Sequence, residues 1–310
     1  MGGSSPFNPD SPQARAISDL FTGSLVIAGI IFVIVTGLVA YIVYRYRSRP
    51  GMGEPRQLSG HTRLEIGWTI APALVLIVMF GWTITTMRAA DPPVGDRQPD
   101  LVVRGVQWWW QVEYPQSGVV TANEIHIPIG QRLLVRLESA DVIHDFWVPQ
   151  LGPKRDMVPG HPNHIWLQAD TPGTYLGACA EYCGEQHAWM RLRVIAQPQA
   201  EFDAWQQQQR QAPAAPTSGD AAQGVQEFQE HTCANCHAIA GTAATARAGP
   251  DLSHLASRQT LGAGVLQNTP DNLMKWLADP QVVKPGNHMP SLRLTDAELR
   301  ALVAYLETLK

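Results

Sequence analysis

Residues 179–190 read Cys179-Ala-Glu-Tyr-Cys183-Gly-Glu-Gln-His187-Ala-Trp-Met190. Two thiols, an imidazole and a thioether within twelve residues form a soft donor set that selects copper over hard cations. A further histidine, His144, lies 35 residues upstream in DVIHDFW, at a strand end. A mononuclear blue-copper site needs one cysteine, whereas two thiolates can bridge two ions. His144 and His187 would then be the terminal ligands, Met190 a weak ligand to one ion, and the backbone carbonyl of Glu181 a ligand to the other. Two cysteines and two histidines are also a zinc set, and Cys179 and Cys183 could form a disulfide in an oxidising compartment. The methionine and the β-rich surroundings favour a copper pair.

Those surroundings run from 89 to 197. LVVRGVQWWWQVEY, TANEIHIPIG, RLLVRLESA, NHIWLQAD and MRLRVIA are short β-rich runs, punctuated by QSG, PIG, HPN and TPG. Short strands with turn signals predict an antiparallel sandwich or barrel. Residues 198–220 turn polar and low in complexity, which predicts a flexible linker with room for a short helix over 200–211. From 221 to 310 the pattern is helical. It opens on a second cysteine motif, Cys233-Ala-Asn-Cys236-His237. Cysteines so spaced can add to both vinyl groups of a haem, and the adjacent histidine becomes the proximal iron ligand. The same spacing also occurs in zinc and redox sites.

Working towards the N-terminus, residues 20–44 carry no charge and would reach about 37 Å as a helix, against a hydrocarbon core of about 30 Å. Residues 67–87 form a second uncharged run, with Pro72 near its start. Two spans are expected, 20–44 and 67–88, after an N-terminal tail of residues 1–19. The loop between them, 45–66, holds Arg45, Arg47, Arg49, Arg56 and Arg63 against Glu54 and Glu65. By the positive-inside rule this loop is cytoplasmic, and both ends of the chain lie on the periplasmic or outer side of a bacterial inner membrane. No basic region precedes a short apolar run, so either a cleavable signal has been removed or the first span directs export, and the Met1-Gly2-Gly3 start does not decide which.

Composition agrees. Of 310 residues, 45% are apolar and 16% charged, below the roughly 25% charged of ordinary soluble domains. A net charge of −4 argues against a generally basic nucleic-acid binder. Four cysteines are too few for a disulfide scaffold.

Taken together, these motifs resemble subunit II of the haem-copper cytochrome c oxidases, in the caa-type branch with a fused C-terminal cytochrome c domain. The copper motif resembles that family's dinuclear CuA site. Gln107-Trp108-Trp109-Trp110 resembles its aromatic strand, with Trp109 where Tyr is usual. Lys154 to Asn163 and Glu65-Ile-Gly-Trp68-Thr-Ile-Ala-Pro72 resemble its loop between ligands and the start of its second span. Gly224, Phe228, Gly249-Pro250-Asp251-Leu252, Asn287-His-Met289-Pro290 and Tyr305 resemble a class I cytochrome c domain.

The resemblance implies three parts: a two-helix transmembrane hairpin, an all-β cupredoxin-like sandwich and an all-α class I cytochrome c domain. It implies a covalent haem c on Cys233, Cys236 and His237, with Pro250 orienting His237. Met289 is expected as the distal ligand, ahead of Met274, His231, His254 and His288. It makes Trp108 an exposed point where an electron arrives, and places the Glu181 side chain at a Mg or Mn site shared with subunit I. It makes Glu65 the mouth of a proton channel in subunit I. His126, His161 and His164 lack ligand-type company and read as structural or surface residues.

The implied partners are subunit I and other oxidase subunits, membrane lipid, and an external donor. That donor would be a soluble or membrane cytochrome c, or a quinol-cytochrome c reductase. The copper segment has 8 basic and 12 acidic residues, which suits a basic donor, and the haem segment is nearly neutral. A tether of about 20 residues would hold the haem domain at about millimolar effective concentration.

The implied function is to pass electrons from haem c through CuA to subunit I, where O2 becomes water with proton pumping. No oxygen-reducing site is expected in this chain. The alternatives are subunit II of a CuA-containing nitric oxide reductase, nitrous oxide reductase, and a membrane-anchored copper carrier or assembly protein. The spans and the absence of a propeller argue against the second, and a fused haem against the third. A quinol oxidase subunit is excluded if the copper ligands are real.

Overall fold

A computed structural model describes residues 5–310 apart from 52, 55 and 56. The Met1-Gly2-Gly3 start and Arg56 lie outside the described residues. The chain divides into two units, Arg15–Pro93 and the residues up to Ala14 together with Val94–Lys310.

In the first unit, α1 (Pro12–Tyr46) and α2 (Thr62–Ala90) are long and apolar enough to cross a membrane. Ile30, Phe32, Val33, Leu76, Ile77 and Phe80 are all exposed. A surface so apolar needs lipid or partner helices to cover it. The helices overrun the uncharged sequences at both ends, because charged and polar residues continue a helix into the interfacial zone. Pro72 therefore lies inside α2 rather than at its first turn. The start of α2 is capped instead by His61, whose backbone N–H donates to the Glu65 carboxylate at 3.0 Å.

The second unit opens as a β-sandwich. One sheet is formed by β1 (Leu101–Val106), β2 (Trp109–Tyr114), β3 (Val119–Ala122), β5 (Leu133–Ser139) and β8 (Asn163–Leu167), in the order β3-β2-β1-β5-β8. The other holds β4 (Glu124–Pro128), β6 (His144–Trp147), β7 (Arg155–Met157), β9 (Gly173–Cys179) and β10 (Arg191–Gln197), in the order β4-β10-β9-β6-β7. The pairing is mixed rather than purely antiparallel: β1 runs parallel to β5, and β10 to β4. Strands distant in sequence meet there after the chain has crossed between sheets, which local hairpin signals do not encode. Trp110, Ile125, Leu137, Phe146, Met157 and Leu192 fill the space between the sheets.

The N-terminal segment lies on this sandwich. Asp10 N donates to Gln150 O at 2.8 Å, Ser11 Oγ to Leu151 O at 2.8 Å, and the Asp10 carboxylate accepts from Thr171 and Tyr175.

After β10 the polar segment is partly ordered as α3 (Gln199–Gln209). Its Trp205 stacks on His126 at 4.1 Å and packs on Tyr114, so α3 belongs to the sandwich. The haem-type domain follows, with α4 (Gly219–Glu230), α5 (Pro270–Ala278), α6 (Pro280–Val283) and α7 (Asp296–Leu306). Helices α4 and α7 cross where a Cβ on Gly224 would stand 2.1 Å from the Ala301 carbonyl oxygen, so only glycine admits the approach. Phe228 and Tyr305 meet edge to face beside the crossing. A capping box of Thr295 and Glu298 starts α7.

Candidate metal centre and haem site

Strand β6 brings His144 and β9 brings Cys179 to the same end of the sandwich, because Phe146 pairs with Cys179 across the two strands. The loop after β9 then returns Cys183, His187 and Met190 beneath them. The two sulfurs stand 3.7 Å apart, and all four cysteines are free. Cys179 Sγ lies 3.9 Å from His144 Nδ1 and 3.2 Å from the Glu181 carbonyl oxygen. Cys183 Sγ lies 3.7 Å from His187 Nδ1 and 3.8 Å from Met190 Sδ.

Each sulfur thus has its own imidazole and its own weaker donor, all six on a site whose cysteines, His144 and Met190 are buried. The donor atoms of His144, Cys179 and Cys183 lie within 4.8 Å of one another without His187. Four donors around one tetrahedral zinc would have to converge more closely. The arrangement fits two soft ions sharing two sulfurs.

Electrostatics follow from this geometry. A hydrogen bond with Cys183 stabilises the Cys179 thiolate and pulls its pKa down to about 3, with smaller contributions from His144 and backbone amides. The same contact pushes the Cys183 thiol up. Burial alone would lower the pKa of His144, but the Cys179 thiolate and the Asp141 carboxylate outweigh it and raise it. Asp141 Oδ1 lies 2.8 Å from His144 Nε2. That contact leaves Nδ1 as the ligating nitrogen, as carboxylates commonly do for metal-bound histidines.

Asp141 was not foreseen from sequence; its place three residues before His144 was the only available signal. Gln107 was also missed. Its amide and the Trp108 indole N–H both donate to the Cys183 carbonyl, at 2.8 and 3.0 Å.

Trp108 is 9% exposed, not an open surface residue as expected. The His288 ring of the haem-type domain lies 5.0 Å from its indole. Trp109 is buried too, against Ala122 and Ala263. Glu181 has an exposed side chain whose carboxylate accepts from Tyr182 N, so it remains available to a further ion.

In the C-terminal domain, Cys233 and Cys236 flank a single 3₁₀ turn that delivers His237. His237 Nδ1 lies 2.7 Å from the Pro250 carbonyl oxygen. A carbonyl only accepts, so Nδ1 carries the proton and Nε2 is free for iron. A Cβ on Gly249 would stand 2.6 Å from the His237 ring, so glycine is needed for the backbone to pass. Burial lowers the His237 pKa, which keeps the ring neutral and able to ligate. Met289 and Met274 both lie against the domain core. The rival histidines are engaged: His231 with Glu227 and Glu298, His254 with the Gln209 carbonyl, and His288 with Trp108. The chain's own geometry fits a covalent haem.

Comparison with known proteins completes the picture. Residues 7–83 match the family "Cytochrome C oxidase subunit II, transmembrane domain", 117–197 match its periplasmic domain, and 221–310 match "Cytochrome c". The cytochrome c oxidase subunit 2 of Alkalihalophilus pseudofirmus is 39% identical over 98% of this chain and 90% of its own length. The chain belongs to the cytochrome c oxidase subunit II family. The subunit 2 of Bacillus subtilis is 35% identical over 87% of this chain and 82% of its own. The periplasmic domain of oxidase subunit II from Bradyrhizobium japonicum is 30% identical, with a TM-score of 0.34, and covers 36% of this chain and 94% of that one. A cytochrome c oxidase subunit II is a component of an oxidoreductase complex and works with a subunit I. Its cupredoxin-like and cytochrome c domains imply CuA and haem c.

Proposed function

We propose that this chain is the electron-transferring subunit II of a caa-type oxidase, whose cytochrome c domain hands electrons to the copper domain and the copper domain to subunit I. There O2 would be reduced to water with proton pumping. The observation that carries this reading is the pairing of four donor groups around two sulfurs, with a second redox domain fused behind.

His144, Cys179, the Glu181 carbonyl, Cys183, His187 and Met190 would hold the copper pair. Cys233, Cys236, His237 and Met289 would hold the haem, with Pro250 orienting His237. Bound there, both groups supply reversible one-electron storage. The protein's part is to keep the sulfurs buried, to fix the imidazole tautomers through Asp141 and Pro250, and to hold the ligand loop through Gln107 and Trp108. A site held in one geometry changes little between oxidation states, which favours rapid transfer.

Trp108 is the bridge by which the copper domain receives its electron, from the chain's own cytochrome domain rather than from a free one. The Glu181 side chain would share a Mg or Mn ion with subunit I, and Glu65 would stand at a proton-channel mouth. The external donor, a cytochrome c or a quinol-cytochrome c reductase, would serve the haem domain.

Orientation rests on the Arg-rich loop and on the N-terminal segment. Because Asp10 and Ser11 are bonded to the sandwich, the tail before α1 and the copper domain share one side of the membrane. We place that side as periplasmic.

The test is a metal and optical assay of the full chain, exported with haem maturation and copper supplied. The reading expects two coppers, one covalent haem and an EPR signal delocalised over two copper nuclei. One zinc, or no metal beside a haem, would overturn it.

A further inference from the structure

The cytochrome c domain meets the sandwich through two buried ionic side chains, one from each side. Lys284, 3% exposed, sits between α6 and the Met289 loop. Its Nζ donates to three carbonyl oxygens: Trp108 at 2.9 Å, Trp189 at 3.1 Å and Gly262 at 3.0 Å. An ammonium has three protons, and all three are used. Two of the acceptors belong to the copper domain, one in the aromatic segment and one in the ligand loop directly before Met190.

Glu124, 2% exposed at the start of β4, answers from the other side. Its carboxylate accepts from Gln259 N and Thr260 N, both at 2.9 Å, and from Thr260 Oγ1 at 3.1 Å. Around these two lie Gln186 Nε2 donating to Pro285 O, Arg191 N donating to Ala263 O at 3.1 Å, and the ring contact of Trp108 with His288.

A buried charge is costly unless its hydrogen bonds are complete. A casual contact between tethered domains would leave a lysine and a glutamate in water. Here both are buried, and each bonds two residues of the opposing domain. Burial pulls the Lys284 pKa down, to about 7.

We propose that Lys284 and Glu124 are positioning residues that lock the cytochrome c domain in one docked orientation, with the Met289 loop over Trp108 and the Cys183 loop. The domain is then a fixed neighbour of the copper site and not a tethered diffuser. The surface at Trp108 is closed to an external cytochrome, and outside electrons must arrive on the haem domain's remaining face. The functional consequence rests on the proposed relay, but the lock itself does not.

The experiment compares the full chain with Lys284→Met, which keeps the volume and removes the donors, and with Glu124→Gln. Amide hydrogen exchange reads the lock directly, whether or not copper is bound. In the variants, protection at 259–263 and 189–191 should fall about tenfold or more, while α4 and α7 keep theirs. In loaded protein with unaltered haem and copper spectra, the internal haem-to-copper transfer rate should fall by about tenfold or more.

Unchanged protection in both variants would overturn the lock. Lost protection with an unchanged transfer rate would overturn its positioning role. If Lys284→Met fails to take up haem, Glu124→Gln decides the question alone. A chain that binds no copper refutes the relay, while the exchange measurement still judges the lock.

Discussion

Asp141 touches no ligand site of its own, yet it fixes which nitrogen of His144 faces Cys179. Asp141→Asn should keep the fold and weaken copper binding by about 10–100-fold, read by competition with a chelator. An unchanged affinity would remove Asp141 from the account. His126 offers a different test, because it serves the sandwich rather than the metal. Burial beneath Trp205 lowers its pKa from 6.5 to about 4. Between those values the unfolded chain binds more protons than the folded one, so stability falls as pH falls. The loss from pH 6.5 to pH 4 should be about 3 kcal/mol, with no contribution above pH 6.5. Thermal unfolding of the sandwich across that range should show it. His126→Phe should flatten that part of the profile.

At the scale of elements, the crossing of α4 and α7 depends on the missing side chain at 224. Gly224→Ala would push a methyl into the Ala301 carbonyl and should destabilise the cytochrome c domain by about 1–3 kcal/mol. The haem absorption during thermal unfolding reports this as a drop of about 4–8 °C per kcal/mol. An unchanged midpoint would mean that the helices can separate without loss.

This crossing was legible through the resemblance of Gly224, Phe228 and Tyr305 to a class I cytochrome c domain, not from spacing, since Tyr305 comes from a distant helix. The spans were legible from uncharged length alone, and both cysteine motifs from local spacing. The parallel pairings of β1 with β5 and β10 with β4 were not, since each joins strands separated by a crossover. Nor was the docking of α3 on the sandwich: Phe202 and Trp205 look isolated among glutamines until Tyr114 and His126 appear beneath them.

At the scale of the whole molecule, the largest departure from the sequence reading is the tether. Composition at 198–220 says flexible linker, and it says nothing about what the linked domains do on meeting. Nothing in the sequence sets Lys284 or Glu124 apart, because their partners lie 176 and 135 residues away. With both buried at a fixed contact, the effective concentration of a flexible tether no longer describes the internal step. Buried pairs are little screened, so salt should affect arrival of the external donor and leave the internal transfer unchanged.

Flash reduction of the haem in the copper-loaded full chain, followed at both the haem and the copper absorption, tests the relay most directly. The account predicts that haem reoxidation and copper reduction share one rate, unaffected by protein concentration and by salt. Haem that stays reduced beside oxidised copper, or a rate that scales with protein concentration, would contradict it.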